Sequence, residues 1–230
     1  MEILDAIRQR RSIRRYDPRP IEGEKVEALR QLMEECNREG GLRIQLVTDD
    51  PAAFDGRLAH YGKFRDVRNY FALVGRKAPD LEERAGYYGE RLVLRAEQLG
   101  LATCWVALTY SKKKARVEVA EGEARVCVIS LGYAAEAAHR HKSKTFEQVV
   151  LPPHPADRPL AEDYPDWFRR GVEAALYAPT AINQQQFRFR LCGSDGVEAT
   201  TRWGFYAKVD LGIAKLHFEL GAGRENFRWC

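Results

Sequence analysis

The chain has 230 residues, of which 45% are hydrophobic and 30% charged, and it carries a net charge of +4. That composition supports one large domain or two small fused ones and excludes wholesale disorder. The charge is too mild to demand nucleic acid and suits an anionic cofactor such as a nucleotide phosphate. No apolar run reaches the length of a membrane span, and the N-terminus has no apolar signal core, so no membrane partner is expected. Five widely spaced cysteines, with no CxxC and no Cys/His cluster, fit a reducing cytoplasm rather than a zinc site or a disulfide scaffold.

In chain order, a first helix is expected over about Ile3 to Arg10, followed by the turn-rich Asp17-Pro18-Arg19-Pro20. Val26, Leu29, Leu32 and Met33 have helical spacing and predict a helix from about Glu24 to Glu35, ended by Gly40-Gly41. Leu42, Ile44 and Leu46 alternate as in a strand, and Tyr70 to Val74 reads as a short buried one. A long helix from about Arg84 to Leu99 is closed by Gly100. Cys104 to Leu108 is an apolar loop or short strand. A basic helix is expected over Ser111 to Ala120, and Arg125 to Gly132 is the clearest strand, rich in Val and Ile. The prolines between Leu151 and Tyr164 mark a linker. Beyond it come a helix from about Asp166 to Tyr177, a strand through Phe187, Phe189 and Leu191, and a helix from Val209 to Leu220.

The later elements repeat the order of the earlier ones. Arg158-Pro159-Leu160 echoes Arg19-Pro20-Ile21. The Phe187 strand lies 145 residues after the Leu42 strand, and Gly221 lies 121 after Gly100. The difference corresponds to loss of most of the segment around Asp55 to Gly75 from the second half. This reads as a degenerate duplication, although helix, strand, helix is also a common order by chance. The domains expected are 1–150, a linker at 151–164, and a degenerate second half at 165–230.

Two stretches concentrate polar chemistry. Arg10-Arg11-Ser12-Ile13-Arg14-Arg15-Tyr16 combines guanidinium groups with a hydroxyl, a set suited to one phosphate monoester. It reads equally well as a solvated basic helix end, favoured by the helix dipole. Ala178-Pro179-Thr180-Ala181-Ile182-Asn183-Gln184-Gln185-Gln186-Phe187 packs amides between a helix and a strand, where they are costly to bury without partners. A flat heterocycle with carbonyls and ring nitrogens would satisfy them, and so would an ordinary polar loop. Trp105 and Val106 to Thr109 suit a core with an edge loop. Lys112-Lys113-Lys114 and Arg140-His141-Lys142-Ser143-Lys144 suit solvated surface. None of His60, His139, His141, His154 and His217 has the spacing of a triad or a metal site, so none is expected to be a base or a ligand.

These stretches resemble the FMN-dependent nitroreductase family. Arg10-Arg11-Ser12-x-Arg14-x-Tyr16 is similar to its opening motif, and Ala178-Pro179-Thr180-x-x-Asn183-x-Gln185 to its second flavin-contacting loop. Leu99-Gly100-Leu101-x-Thr103-Cys104-Trp105 resembles its helix end and flavin-facing loop. Val128 to Tyr133 and Lys142-Ser143-Lys144 resemble its late strand and following basic segment. The order differs: the place soon after the arginine motif, Glu35 to Gly40, has lost the loop pattern, and the good copy lies in the second half. This is similar to a divergent branch in which one chain carries two related halves.

The resemblance implies an α+β, nitroreductase-like fold, a central mostly antiparallel sheet flanked by helices and arranged as an internal pseudo-dimer with one flavin per chain. It implies FMN, held by Arg10, Arg11, Ser12 and Arg14 at the phosphate. Pro179, Thr180, Asn183 and Gln185 would lie at the ribityl chain or ring edge, and backbone N–H groups of Val106, Ala107, Leu108 and Thr109 would face N5 and O4. Lys142 or Lys144 would lie near N1 and O2. It further implies NAD(P)H as reductant, a small electron-poor acceptor such as a nitroaromatic or quinone, and a monomer. The alternative is an FMN-binding protein without NAD(P)H turnover.

Overall fold

The computed structural model describes residues 1–137, 142–152 and 160–230, apart from the side chains of Leu58 and His60. Arg140, His139, His141, His154 and the Arg158-Pro159 half of the internal echo lie outside the described residues. The helices are α1 (Ile3–Gln9), α2 (Gly23–Gly40), α3 (Arg57–Tyr61), α4 (Leu81–Gln98), α5 (Phe146–Val149), α6 (Asp166–Ala175) and α7 (Ala207–Ala222). The strands are β1 (Tyr16–Asp17), β2 (Gln45–Val47), β3 (Asn69–Arg76), β4 (Ala102–Val106), β5 (Glu123–Ala134), β6 (Phe187–Cys192), β7 (Gly196–Thr201) and β8 (Arg228–Trp229).

The long strand β5 organises the larger sheet. It pairs antiparallel with β3 on one side and with β4 on the other, β1 continues alongside its last residues, and β2 closes the β3 edge. Its Val- and Ile-rich stretch from Val126 to Leu131 is explained by burial on both faces. Phe71 and Leu73 of β3, with Ile129 and Leu131 of β5, face a core shared with α2, α4, α6 and α7. Tyr70, Ala72, Val74 and Val128 face a second core built on Phe54, Phe64 and Tyr110. The smaller sheet runs β6-β7-β8, antiparallel and then parallel. The segment after α5 joins its edge, where Leu151 N–H donates to the Phe189 carbonyl of β6 at 2.7 Å. The arrangement is α+β and mostly antiparallel, as expected.

Segment 111–120 is not a helix. One backbone bond, Ala115 N–H to the Ser111 carbonyl, closes a single turn. Beyond it the chain is drawn onto neighbours: Arg116 N–H donates to Asp50, and Glu118 N–H donates to the Gln45 side chain. Tertiary partners here override helix propensity. Helix α2 runs past the expected Glu35 because Gly40 fits under the Tyr88 ring, where any Cβ would collide. Gly41, at φ 57°, then caps the helix.

Candidate active site

The chain leaves α1 at Arg10 and crosses the end of the larger sheet. Ile13 N–H donates to the Thr103 carbonyl at 3.0 Å. The Tyr16 hydroxyl lies 2.7 Å from both the Ile13 carbonyl and the Ser130 hydroxyl, with its ring over Gly132. Tyr16 is thus the anchor of the arginine-serine stretch, and burial pushes its hydroxyl pKa well up. Fixed in this way, Arg10, Arg11, Ser12 and Arg14 all face one cleft.

The cleft consists of two adjoining cavities of about 720 and 510 Å³. Ser12, Arg14, Pro179, Thr180 and Ile182 lie on both, and so form the boundary between them. Lys142, Lys144, Asn183 and Gln185 complete the larger one together with Arg10 and Arg11. Val106, Ala107, Leu108 and Thr109 line the smaller one. The structure therefore brings all of the sequence-predicted site residues to a single cleft. Val106 ends β4 opposite Val128, so the loop Ala107–Thr109 leaves the sheet at the cavity wall.

Arg10 is 5% exposed, and its Nε and Nη1 are buried without a hydrogen-bond partner. Its nearest acid is the fully buried Glu90 of α4, whose Oε1 lies 3.9 Å from Arg10 Nε. Glu90 is already engaged: Trp105 Nε1 donates to Oε2 at 2.9 Å, and His217 Nε2 lies 2.9 Å from Oε1. His217, fully buried, also meets the Ala174 carbonyl at 3.1 Å. A buried cation with unmet donors is costly unless an anion completes it. The residues present thus fit an anionic group at the α1 exit.

The opposite wall is the turn Ala181–Asn183 and the residues after it. Ile182, Asn183 and Gln185 all have positive φ, at 47°, 57° and 43°. For a β-branched residue such as Ile182, 85% exposed, this is an uncommon conformation that must be imposed by its surroundings. Two groups impose it. Asp210, in the first turn of α7, accepts from Ala181 N–H at 2.9 Å and from Gln184 Nε2 at 2.7 Å. Lys144 Nζ donates to the Gln184 and Gln185 carbonyls at 2.9 and 2.7 Å. Burial raises the Asp210 carboxyl to about 6. Burial, with Arg188 and Arg202 nearby, lowers the Lys144 ammonium.

Several expected ligands are engaged with the protein itself. The Gln185 amide accepts from Lys144 N–H and donates to Ser143 Oγ and the Leu176 carbonyl, while Thr180 Oγ1 accepts from Gln185 N–H. Gln185 is therefore a brace of the turn. Asn183 Nδ2 donates to the Lys142 carbonyl at 2.8 Å, and its side chain is otherwise exposed.

Sequence reasoning missed Glu90, Asp210, and the Tyr61–Phe64 wall of the smaller cavity. Glu90 and Asp210 were visible as lone acids on the apolar faces of helical stretches. The wall had no such signal. It is seated by Gly62, where a Cβ would come within 2.7 Å of the Thr109 side chain. The Arg14 guanidinium lies 5.9 Å from the Phe64 ring centre.

The chain matches the family model described as "Putative TM nitroreductase" over residues 2–222. A Thermotoga maritima protein described as a "putative nitroreductase" shares 20% identity, with 98% of this chain and 85% of that one covered and a TM-score of 0.68. A "putative nitroreductase in complex with fmn" from Desulfovibrio desulfuricans shares 18%, covering 70% and 98%, with a TM-score of 0.54. A "Putative NADH dehydrogenase/NAD(P)H nitroreductase" from Parabacteroides distasonis shares 22%, covering 64% and 95%, with a TM-score of 0.51. These structural likenesses establish a common fold. No curated protein matches the chain.

Proposed function

Because the chain belongs to the family described as "Putative TM nitroreductase", we propose that it is an FMN-dependent oxidoreductase that uses NAD(P)H to reduce an electron-poor acceptor such as a nitroaromatic or quinone. The observation that carries this reading is Arg10, a buried guanidinium with two unmet donors on the wall of a cleft large enough for a nucleotide. Bound FMN would supply the redox chemistry between the nicotinamide and the acceptor.

The protein's own part is to bind and orient. Arg10, Ser12 and Arg14 would hold the phosphate, with Arg11 adding charge. Pro179, Thr180 and Asn183 would confine the ribityl chain from the other wall. The Val106–Thr109 loop and Ile182 would enclose the ring. Lys142 and Lys144, on the larger cavity beside its boundary with the smaller one, would add positive charge toward the ring edge, where negative charge accumulates on reduction. Among the described residues no group of His, Cys, Asp and Glu is placed to hold a metal ion. No helix among them is long and apolar enough to cross a membrane. The reading further places the protein in the cytoplasm as a monomer.

Lys144 favours one alternative. Its ammonium donates to two carbonyls whose dipoles offset part of its field at a reduced ring, which suits a flavin-binding protein without turnover. One experiment separates the readings. Freshly purified protein should show a flavin spectrum, and anaerobic NADH or NADPH should bleach the visible band. A yellow protein that neither nucleotide bleaches supports the alternative. A colourless protein that ignores added FMN rules out both.

A further inference from the structure

Apolar side chains crowd the mouth of the smaller cavity. Among the described residues nine large apolar side chains are exposed, and four of them, Tyr61, Leu108, Ile182 and Phe205, line this one cavity. They come from four separate parts of the chain: the end of α3, the loop after β4, the Ala181–Asn183 turn and the loop before α7. A fifth, Trp203, is 97% exposed and lies two residues before Phe205. Its loop is seated on the turn, since Gln184 Nε2 donates to the Phe205 carbonyl at 2.6 Å. Holding such a cluster in water is unfavourable, and a contiguous exposed apolar patch on a folded domain marks a binding site. Ile182 is kept there at φ 47°, a conformation a β-branched residue resists, so its exposure is imposed by the fold. The rim is continuous with the cavity wall, so a molecule that fills the cavity is the one that meets the rim. Lys63, exposed, and Thr109, half-buried, supply hydrogen-bond donors on the same wall.

We infer that the smaller cavity and its rim take a lipophilic acceptor, a quinone whose head lies in the cavity and whose isoprenoid tail lies across Tyr61, Phe205 and Trp203. The inference rests on the flavin reading above and names the class of acceptor within it. With the flavin ring at the boundary marked by Ser12, Arg14 and Thr180, the rest of the smaller cavity is left for the head, where Lys63 or Thr109 can donate to a quinone oxygen. A single-ring nitroaromatic would sit within the cavity and leave the rim in water. A tail covers the rim, and each methylene it removes from water adds affinity. The overall reaction joins NAD(P)H, one proton from solvent and the quinone to give NAD(P)⁺ and the hydroquinone. The tail takes no part in that balance and acts through binding alone.

The test is binding of oxidised quinones to the FMN-loaded protein, measured by calorimetry with one head group carrying no tail, one isoprenyl unit or two. The Kd should fall at least tenfold from the tail-less quinone to the two-unit one. Trp203→Ser and Tyr61→Ser should each remove at least threefold of that gain and leave the Kd of the tail-less quinone within twofold. Val119→Ser, at an exposed apolar residue outside the cavity, should change neither. Thermal melts on each variant exclude a folding defect as the cause. No quinone binding, a Kd independent of tail length, or a gain that both rim variants keep in full overturns the inference while the flavin reading stands. Geranyl alcohol binding as tightly as the two-unit quinone also overturns it, because the rim would then take a lipid chain without regard to its head. If the protein binds no FMN, the flavin reading itself falls, and this inference with it.

Discussion

Gly86 of α4 and Gly212 of α7 meet reciprocally. A Cβ on Gly212 would collide with the carbonyl of Glu83, one turn before Gly86, and a Cβ on Gly86 would collide with the carbonyl of Val209, one turn before Gly212. The two backbones can touch here only because neither residue has a side chain. The same helices place Glu90 behind Arg10 and Asp210 against the Ala181–Gln184 turn.

Gly212→Ala should therefore push α7 off α4. The expected cost is about 1–3 kcal/mol, or a fall in Tm of roughly 2–10 °C for a chain of this size. Gly23→Ala is the control, since a Cβ there meets nothing within 4 Å. A Gly212→Ala melt that coincides with the control would show that the crossing is not tight.

Arg10→Ala should lose flavin retention. Removing one charge-assisted phosphate contact should weaken FMN by about 1.5–3 kcal/mol, read as a rise in Kd by fluorescence quenching. Far-UV circular dichroism should be unchanged. Wild-type FMN affinity in the variant would remove the phosphate assignment.

Asp210 predicts a specific pH dependence. Its carboxyl titrates near 3.8 in an unfolded chain and near 6 here. Between these values the folded protein binds more proton than the unfolded one, so this group's contribution to stability falls as pH rises from 4 to 6. The gap of about two units corresponds to on the order of 2–3 kcal/mol. Asp210→Asn cannot titrate, so its stability relative to wild type should rise by about that amount between pH 4 and pH 7, followed by denaturant unfolding. A constant difference across that range would mean that Asp210 is not the titrating group.

Ile182→Asn tests the turn. Asn accepts the left-handed conformation that a β-branched residue resists, so the variant should gain about 1 kcal/mol. Its exposed side chain gives up little packing in exchange. A loss of stability would mean that Ile182 packs usefully despite its exposure.

Local signals made much of the fold legible. The Val/Ile run gave β5, the helical spacing gave α2, and Gly100, at φ 74°, closes the long helix as expected. What escaped depends on distant partners. The basic stretch 111–120 carries residues a helix would accept, but Asp50 and Gln45 claim its backbone donors. β7, a short strand of small and polar residues, had too little apolar alternation to read. At the site, the two polar stretches were visible as composition, yet their division of labour was not. Only the fold shows that Gln185 braces the turn while Arg10 is left with unmet donors.

Both walls of the cleft belong to a single polypeptide, the arginine stretch near one end and the Pro179–Gln185 turn near the other. If the protein binds FMN as a monomer, as proposed, loss of the cofactor on dilution should follow its own dissociation constant, with no added step from subunits drifting apart. Each wall can also change through mutation without altering the other, a freedom denied to a site built from two copies of one sequence.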